Sequence, residues 1–508
     1  MCCGCLNRRE FLGLAAGVLG GAAVAPADSP SGPRGAIRWD PDEPFRFHAR
    51  PLRIRPVLMY ATPRRREQTS WKSWGGIQTD EAARAEAERI AGELRSLASE
   101  EGGTLEILPV VCAKTAAEVE AARRPEGDAV IVYAATGGSG LLEACLAAAG
   151  DAIIFVRHRS GPVYYWYEAL STRLLSANGL DKRDSSPHRA SVHDVVVDDY
   201  GELGAKLRAL RAVRNLAGTR IVALGGVWGK YSPEAPERAR EKFRLDIVDV
   251  PYERVEARIR AAVGDAERQA EARSWAERYL SMSGTKLGTA RPFVVNAFVL
   301  YRVFREIMAE HSAPAFTIKS CMGTIMPLSQ TTACLTLSLL NDEGWMAFCE
   351  SDFVVIPAGM LLYYVARRPV FLHNSTFPHK GLVTCAHCTG PRRMDGRRYE
   401  SVRIVTHYES EYGAAPKVEM PVGQEVTFID PEYSTDRWVG FKGIVRDNPF
   451  YDICRSQQDV EIVGRWKRLI REVRDSHWLM AYGDWREEVG YAARKLGIRW
   501  EDVSDVEA

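Results

Sequence analysis

Between residues 337 and 391 the sequence gathers side chains of the kinds that bind metals and move protons. The segment "LSLLNDEGWMAFCESD" carries Glu350 and Asp352, spaced i, i+2 at the expected end of a strand, where an extended chain points both carboxylates the same way. At the mouth of a cleft such a pair offers oxygen ligands or an acid and a base. Away from one it is a solvated strand end that caps the helix "FVVIPAGMLLYYVARRP". Three of the ten histidines (His373, His379 and His387) follow within "VFLHNSTFPHKGLVTCAHCTGP". A structural zinc site needs four ligands in close order. Beyond Cys385 and Cys388, however, the chain after residue 5 has no second Cys-x-x-Cys and no His-x-x-x-His. A redox dithiol belongs at a helix start, whereas this pair ends an apolar run. The two cysteines therefore read as strand packing, and His387 as a ligand at a strand edge.

Two glycine-rich stretches, "ATGGSG" and "ALGGVWG", each follow an apolar run. Neither has the G-x-G-x-x-G spacing of a dinucleotide fingerprint, so they read as tight turns at the carboxyl edge of a sheet, able to line a cleft for an uncharged polar ligand. Trp228, Trp345, Trp438 and Trp478 are candidates to stack on a sugar ring, and equally candidates for core packing.

The elements that must position these residues follow from the pattern of the chain. Its 508 residues are 46% hydrophobic, enough for several cores, and the net charge of +1 argues against nucleic acid or an anionic membrane as partner. Short apolar strands ("RIRPVLMY", "LEILPVV", "DAVIVYAAT", "AIIFVR", "HDVVVDD") alternate with amphipathic helices such as "DEAARAEAERIAGELRSLASE", started by Thr79-Asp80. A second set begins at "TRIVALGGVWG". This alternation predicts parallel sheets covered on both faces. From about residue 395 the texture becomes β-rich with Gly, Pro and Asp turns. The expected fold is α/β, with two tandem Rossmann-like α/β domains plus a C-terminal antiparallel β-barrel-like domain. The expected limits are 51–218 and 219–392, the latter carrying part of the metal site, and 393–508 with closing helices.

Residues 1–27 read as a twin-arginine-type signal peptide: Arg8-Arg9, then Phe11-Leu12, an apolar run, and Ala25-Pro26-Ala27 as a small-x-small cleavage site. A linker spans 28–50. The run is too short and glycine-rich for a stable membrane span, so the expectation is an exported periplasmic or extracellular protein with no integral membrane segment after cleavage. Of eleven cysteines, eight lie beyond the leader, scattered and without a disulfide framework.

Three segments together, "LSLLNDEGWMAFCESD", "LVTCAHCTGP" and "SHWLMAYGDWREEVGYAARKLG", resemble the L-fucose isomerase and L-arabinose isomerase superfamily. The resemblance implies a divalent metal, Mn2+ foremost, held where domains meet, a small sugar substrate, and a trimer or hexamer. It implies Asp352, His387 and His477 as metal ligands, and Glu350 and Asp352 as the groups that move a proton between C1 and C2 of an aldose through an enediol. One departure stands out. The family's further acid, both ligand and base, falls in "MPLSQTTACL", Met326 to Leu335, which holds no Asp or Glu. Glu350, Asp342 or Glu343 must take its place, or the protein binds a carbohydrate without turning it over.

Overall fold

A computed structural model describes residues 37–122, 126–164, 175, 190–434 and 436–505. The leader and the first part of the linker lie outside the described residues.

Strands β1 (Leu52–Met59), β2 (Leu105–Ile107), β3 (Val111–Ala113), β4 (Ala129–Ala134), β5 (Asp151–Val156) and β6 (Val195–Val197) form a wholly parallel sheet. Its order is β2-β1-β4-β5-β6, with β3 also on β1. The near-continuous Val, Ile and Ala runs have their cause in burial on both faces: every residue of β4 is buried. Helix α1 (Asp80–Glu100) covers the sheet and starts at Thr79, whose hydroxyl accepts the Ala82 N–H. Helix α2 (Tyr200–Leu216) starts likewise at Asp199.

The second sheet is also parallel, built from β7 (Arg220–Leu224) and β8 (Asp246–Val250), then, after β9 (Thr285–Leu287) and helix α3 (Arg291–Glu310), from β10 (Ala315–Ile318) and β11 (Met346–Cys349). Helices α4 (Cys321–Ser329) and α5 (Cys334–Glu343) connect the last two, and α6 (Ile356–Ala366) follows β11. Its order, β11-β10-β7-β8, means the chain steps from β7 to one side and later to the other. Loops leaving β7 and β10 therefore part in opposite directions, which opens a crevice at the strands' carboxyl ends.

The C-terminal region holds a closed six-stranded antiparallel barrel. Its strands are β12 (Phe371–Ser375), β13 (Leu382–His387), then, after β14 (Ser401–Val405) and β15 (Ala415–Glu419), β16 (Glu425–Pro431), β17 (Arg437–Asp447), β18 (Ser456–Ile462) and β19 (His477–Tyr482). The path β16-β19-β12-β13-β18-β17 closes through β16–β17 pairing, and β20 (Arg499–Asp502) joins β17 in parallel. The barrel thus draws two strands from before residue 393. Strands β9, β14 and β15 make a small separate sheet. Helix α7 (Arg486–Lys495) ties the carboxyl end to the first α/β unit: Glu488 pairs with Arg208 at 2.8 Å and Lys495 with Asp194 at 2.8 Å. No helix among the described residues is long and apolar enough to cross a membrane.

Candidate active site

Strand β11 ends at Cys349, and the next two residues, Glu350 (φ 65°) and Ser351 (φ 50°), are left-handed. The extended chain expected to point Glu350 and Asp352 the same way is therefore replaced by a sharp reversal, each left-handed residue costing about 1 kcal/mol. The reversal is held by the loop leaving β7. Trp228 donates its N–H to Ser351 O (3.2 Å) and accepts from Phe353 N (2.9 Å). Asp352 consequently turns inward and is wholly buried. Its Oδ1 accepts from Lys230 N (3.0 Å) and Val354 N (3.2 Å), and its Oδ2 lies 2.7 Å from His477 Nδ1. Glu350 stays at the mouth, its side chain 44% exposed.

The two histidines arrive from the barrel. His477 opens β19 and His387 closes β13, with β12 between those strands. Asn374 of β12 is in register with both His477 and Ala386, so the register alone brings the two imidazoles to the same end of the barrel. The Glu350 carboxylate lies between them, Oε1 at 3.8 Å from His387 Nε2 and Oε2 at 3.4 Å from His477 Nε2. Each Nδ1 is already engaged, that of His477 by Asp352 and that of His387 by Thr389 Oγ1 at 2.9 Å. Facing a carboxylate, Nδ1 is the ring nitrogen that holds the proton in the neutral form of His477, the form that offers a lone pair on Nε2. Lys230 Nζ lies 3.4 Å from that Nε2.

The Glu350 carboxylate reaches one Nε2 with each oxygen, the far ring nitrogens being anchored, and imidazole and carboxylate are the donor types a borderline divalent ion takes. The sequence pattern offered Asp352 as a ligand. Here both its oxygens have hydrogen-bonding neighbours, Oδ2 facing His477 Nδ1, while Glu350 faces the imidazoles.

Burial pushes the Glu350 carboxyl up, but the neighbouring His387 and His477 rings and the Lys230 ammonium outweigh it and hold the group down at about 2. Glu350 is accordingly an anion across the physiological range. Asp475, two residues before His477, is pushed up to about 6 by burial and by the Asp352 charge, and its Oδ2 is buried without a hydrogen-bond partner.

The remaining candidates separate cleanly. His373 sits in the barrel against Phe371 and Phe428, pushed down to about 3 by burial, and His379 is on an exposed loop. Asp342 accepts the N–H groups of Arg392 (2.7 Å) and Arg393 (2.8 Å), and Glu343 holds Arg305 (2.9 Å), Tyr301 (2.6 Å) and Trp345 (3.1 Å). Neither turn acid therefore stands in for the family's acid, and the buried Ser329 hydroxyl is committed to the Ile325 carbonyl. Among the four tryptophans only Trp228 adjoins the site. Trp345 stacks on His48, Trp438 lies against Phe243, and Trp478 packs on Phe428 and Phe441.

Lys230 and Asp475 were not singled out by spacing. The glycine turn "ALGGVWGK" was the available signal for Lys230, because it leaves the strand at which sheet order reverses, a fact fixed only by topology. Beside Lys230, Tyr231 is 75% exposed and meets Tyr433 edge-on at 5.5 Å. Cys385 is buried in the barrel core, as strand packing requires. Cys388 differs: Cys334 and Cys454 pack around it, partners that close sequence spacing could not reveal. Compared with known proteins, the chain matches no family model and no curated protein.

Proposed function

We propose that the protein is a metal-dependent sugar isomerase-like enzyme that interconverts an aldose and a ketose. The observation that carries this reading is the Glu350 carboxylate lying between the Nε2 atoms of His387 and His477, at the carboxyl ends of a parallel sheet. A bound divalent ion, Mn2+ foremost, supplies polarisation of a sugar carbonyl and its neighbouring hydroxyl. His387, His477 and Glu350 would hold it, and Asp352 would keep His477 in the tautomer that can do so. Glu350 takes the dual role of the acid that "MPLSQTTACL" lacks: facing the ion and, as the ionised group open to the crevice, moving a proton between adjacent carbons. The Lys230 ammonium stabilises negative charge that develops on sugar oxygens during that transfer. Tyr231 and Tyr433 offer aromatic faces at the mouth.

The test is incubation of Mn2+-loaded protein with a panel of aldoses in D2O. The expected result is metal-dependent ketose formation with deuterium entering at C1 of the ketose. A second reading, an exported carbohydrate-binding protein of the same fold, is favoured by the absence of any acid between Met326 and Leu335. Saturable sugar binding with neither ketose nor deuterium incorporation across the panel would establish it in place of the first.

A further inference from the structure

Among the described residues, one trio of His, Cys and acidic side chains has its ligand atoms all within 4.8 Å of one another: Cys388, His407 and Cys454. They come from three separate segments. Cys388 follows the last residue of β13, His407 follows β14, and Cys454 precedes β18. A fourth thiol, Cys334, is the first residue of α5 and packs with Cys388, and all three cysteines are free of disulfides. Cys334, Cys388 and His407 are buried.

We propose that Cys388, Cys454 and His407, with Cys334 as fourth ligand, form a tetrahedral site for a thiophilic cation, zinc in the ordinary case. The chemistry of the donors is the first reason. Three thiols and an imidazole make the Cys3His set of structural zinc, and thiolates select zinc over the oxygen-seeking ions. Spacing is the second. Around a tetrahedral zinc with bonds of about 2.3 Å, neighbouring sulfurs stand about 3.7 Å apart, so Cys388, His407 and Cys454, already within 4.8 Å of one another, need only a small inward shift, and Cys334 packs beside Cys388. That compactness suits one ion and not an iron–sulfur cluster, whose cysteines must surround a larger body.

Location is the third reason. The four donors belong to the barrel (β13 and β18), the small sheet (β14) and the second α/β unit (α5), so a single ion cross-links three parts of the fold. The backbone around them is already fastened: Arg455 Nε donates to Thr406 O at 2.8 Å, and Gln457 Nε2 to Cys454 O at 2.8 Å. Cys388 is also the immediate neighbour of His387, so the ion fixes the end of the strand that presents His387 to Glu350. This site is distinct in donors from the His387, His477 and Glu350 set, and it stands whether or not the sugar reading does.

The experiment is elemental analysis of the full chain purified under reducing conditions, followed by replacement of the bound ion with Co2+. The expected results are zinc in the purified protein and, with Co2+, thiolate-to-cobalt charge transfer in the near ultraviolet with tetrahedral bands in the visible. These bands persist in Glu350→Gln and His477→Ala, which affect only the other site, and are lost in Cys388→Ser and Cys454→Ser. Should those variants fail to fold, the unmutated chain answers: chelation must release zinc and increase the number of thiols open to alkylation. Absence of the thiolate band, its persistence in folded Cys388→Ser, a Cys388–Cys454 disulfide in anaerobically purified protein, or iron with acid-labile sulfide would each overturn the proposal.

Discussion

Asp352 Oδ2 and His477 Nδ1 stand 2.7 Å apart, both groups wholly buried, and this contact joins the end of the second parallel sheet to the first residue of a barrel strand. Asp352→Asn keeps the oxygen that accepts from Lys230 and Val354 but turns an N–H toward Nδ1. His477 must then carry its proton on Nε2, where an ion would bind. The expected outcome is a 10- to 100-fold loss of Mn2+ affinity, of the order usual for such outer partners. A Mn2+ titration followed by electron paramagnetic resonance measures it, and unchanged affinity would remove Asp352 from this role.

Lys230 Nζ lies 3.4 Å from His477 Nε2 but is not among the ion-facing donors. Lys230→Met is expected to lower turnover about 100-fold, the scale of one lost charge-stabilising group, while Mn2+ affinity is kept. Turnover equal to that of the unmutated protein would show that the ammonium plays no part in the reaction.

Ser351 holds a left-handed conformation (φ 50°), and its buried hydroxyl has no hydrogen-bond partner among the described residues. Glycine enters this region without strain and removes the orphaned hydroxyl, against a larger loss of chain entropy. Ser351→Gly should raise stability by about 1 kcal/mol, read from the midpoint of urea unfolding. A lower midpoint would mean that the serine is held there by something this balance omits.

Gly359 of α6 faces β11 and β19 so closely that an added Cβ would lie 2.6 Å from Phe348 Cε1 and 3.0 Å from Leu479 Cδ2. Gly359→Ala therefore pushes the helix off both strands, including the one that begins with His477. A loss of about 1–3 kcal/mol is expected, and the same denaturant titration detects it. A neutral result would show that α6 can shift freely there.

Asp342 is buried, and burial pushes its carboxyl up to about 7 despite the Arg393 and Arg392 N–H groups and the Arg392 charge. The unfolded chain releases this proton near the ordinary aspartate value. Between about pH 4 and pH 7 the folded state therefore holds more protons, and stability falls as pH rises through that window, by at most about 4 kcal/mol. Above pH 7 the contribution is flat. Unfolding free energies from pH 4 to 8 should show this slope in the unmutated protein and less of it in Asp342→Asn, and equal slopes in both would refute the assignment.

The composition and periodicity of the chain sufficed for the parallel α/β sheets and for a β-rich carboxyl-terminal region, because apolar runs buried on both faces and turn-punctuated strands write their environment into residue type, whereas the recruitment of β12 and β13 into a closed barrel was settled by strand pairing. Residue type and position also drew attention to Glu350, Asp352 and His387, since ionisable residues beside apolar strands are rare enough to stand out, whereas His477 entered only through the resemblance to the isomerase superfamily. What each of these residues does was decided by tertiary structure. Two successive left-handed residues, invisible in the sequence, turn Asp352 inward and leave Glu350 facing both imidazoles. The common register of His477 and Ala386 on Asn374 brings strands far apart in sequence to one barrel end. Lys230 joins them because sheet order reverses at β7, and Cys388 is met by Cys454 from another loop of the barrel and by His407 from the small sheet. Residue type is a local property, whereas a site is a meeting of segments, and which segments meet is set by strand pairing and packing over distances no spacing rule spans.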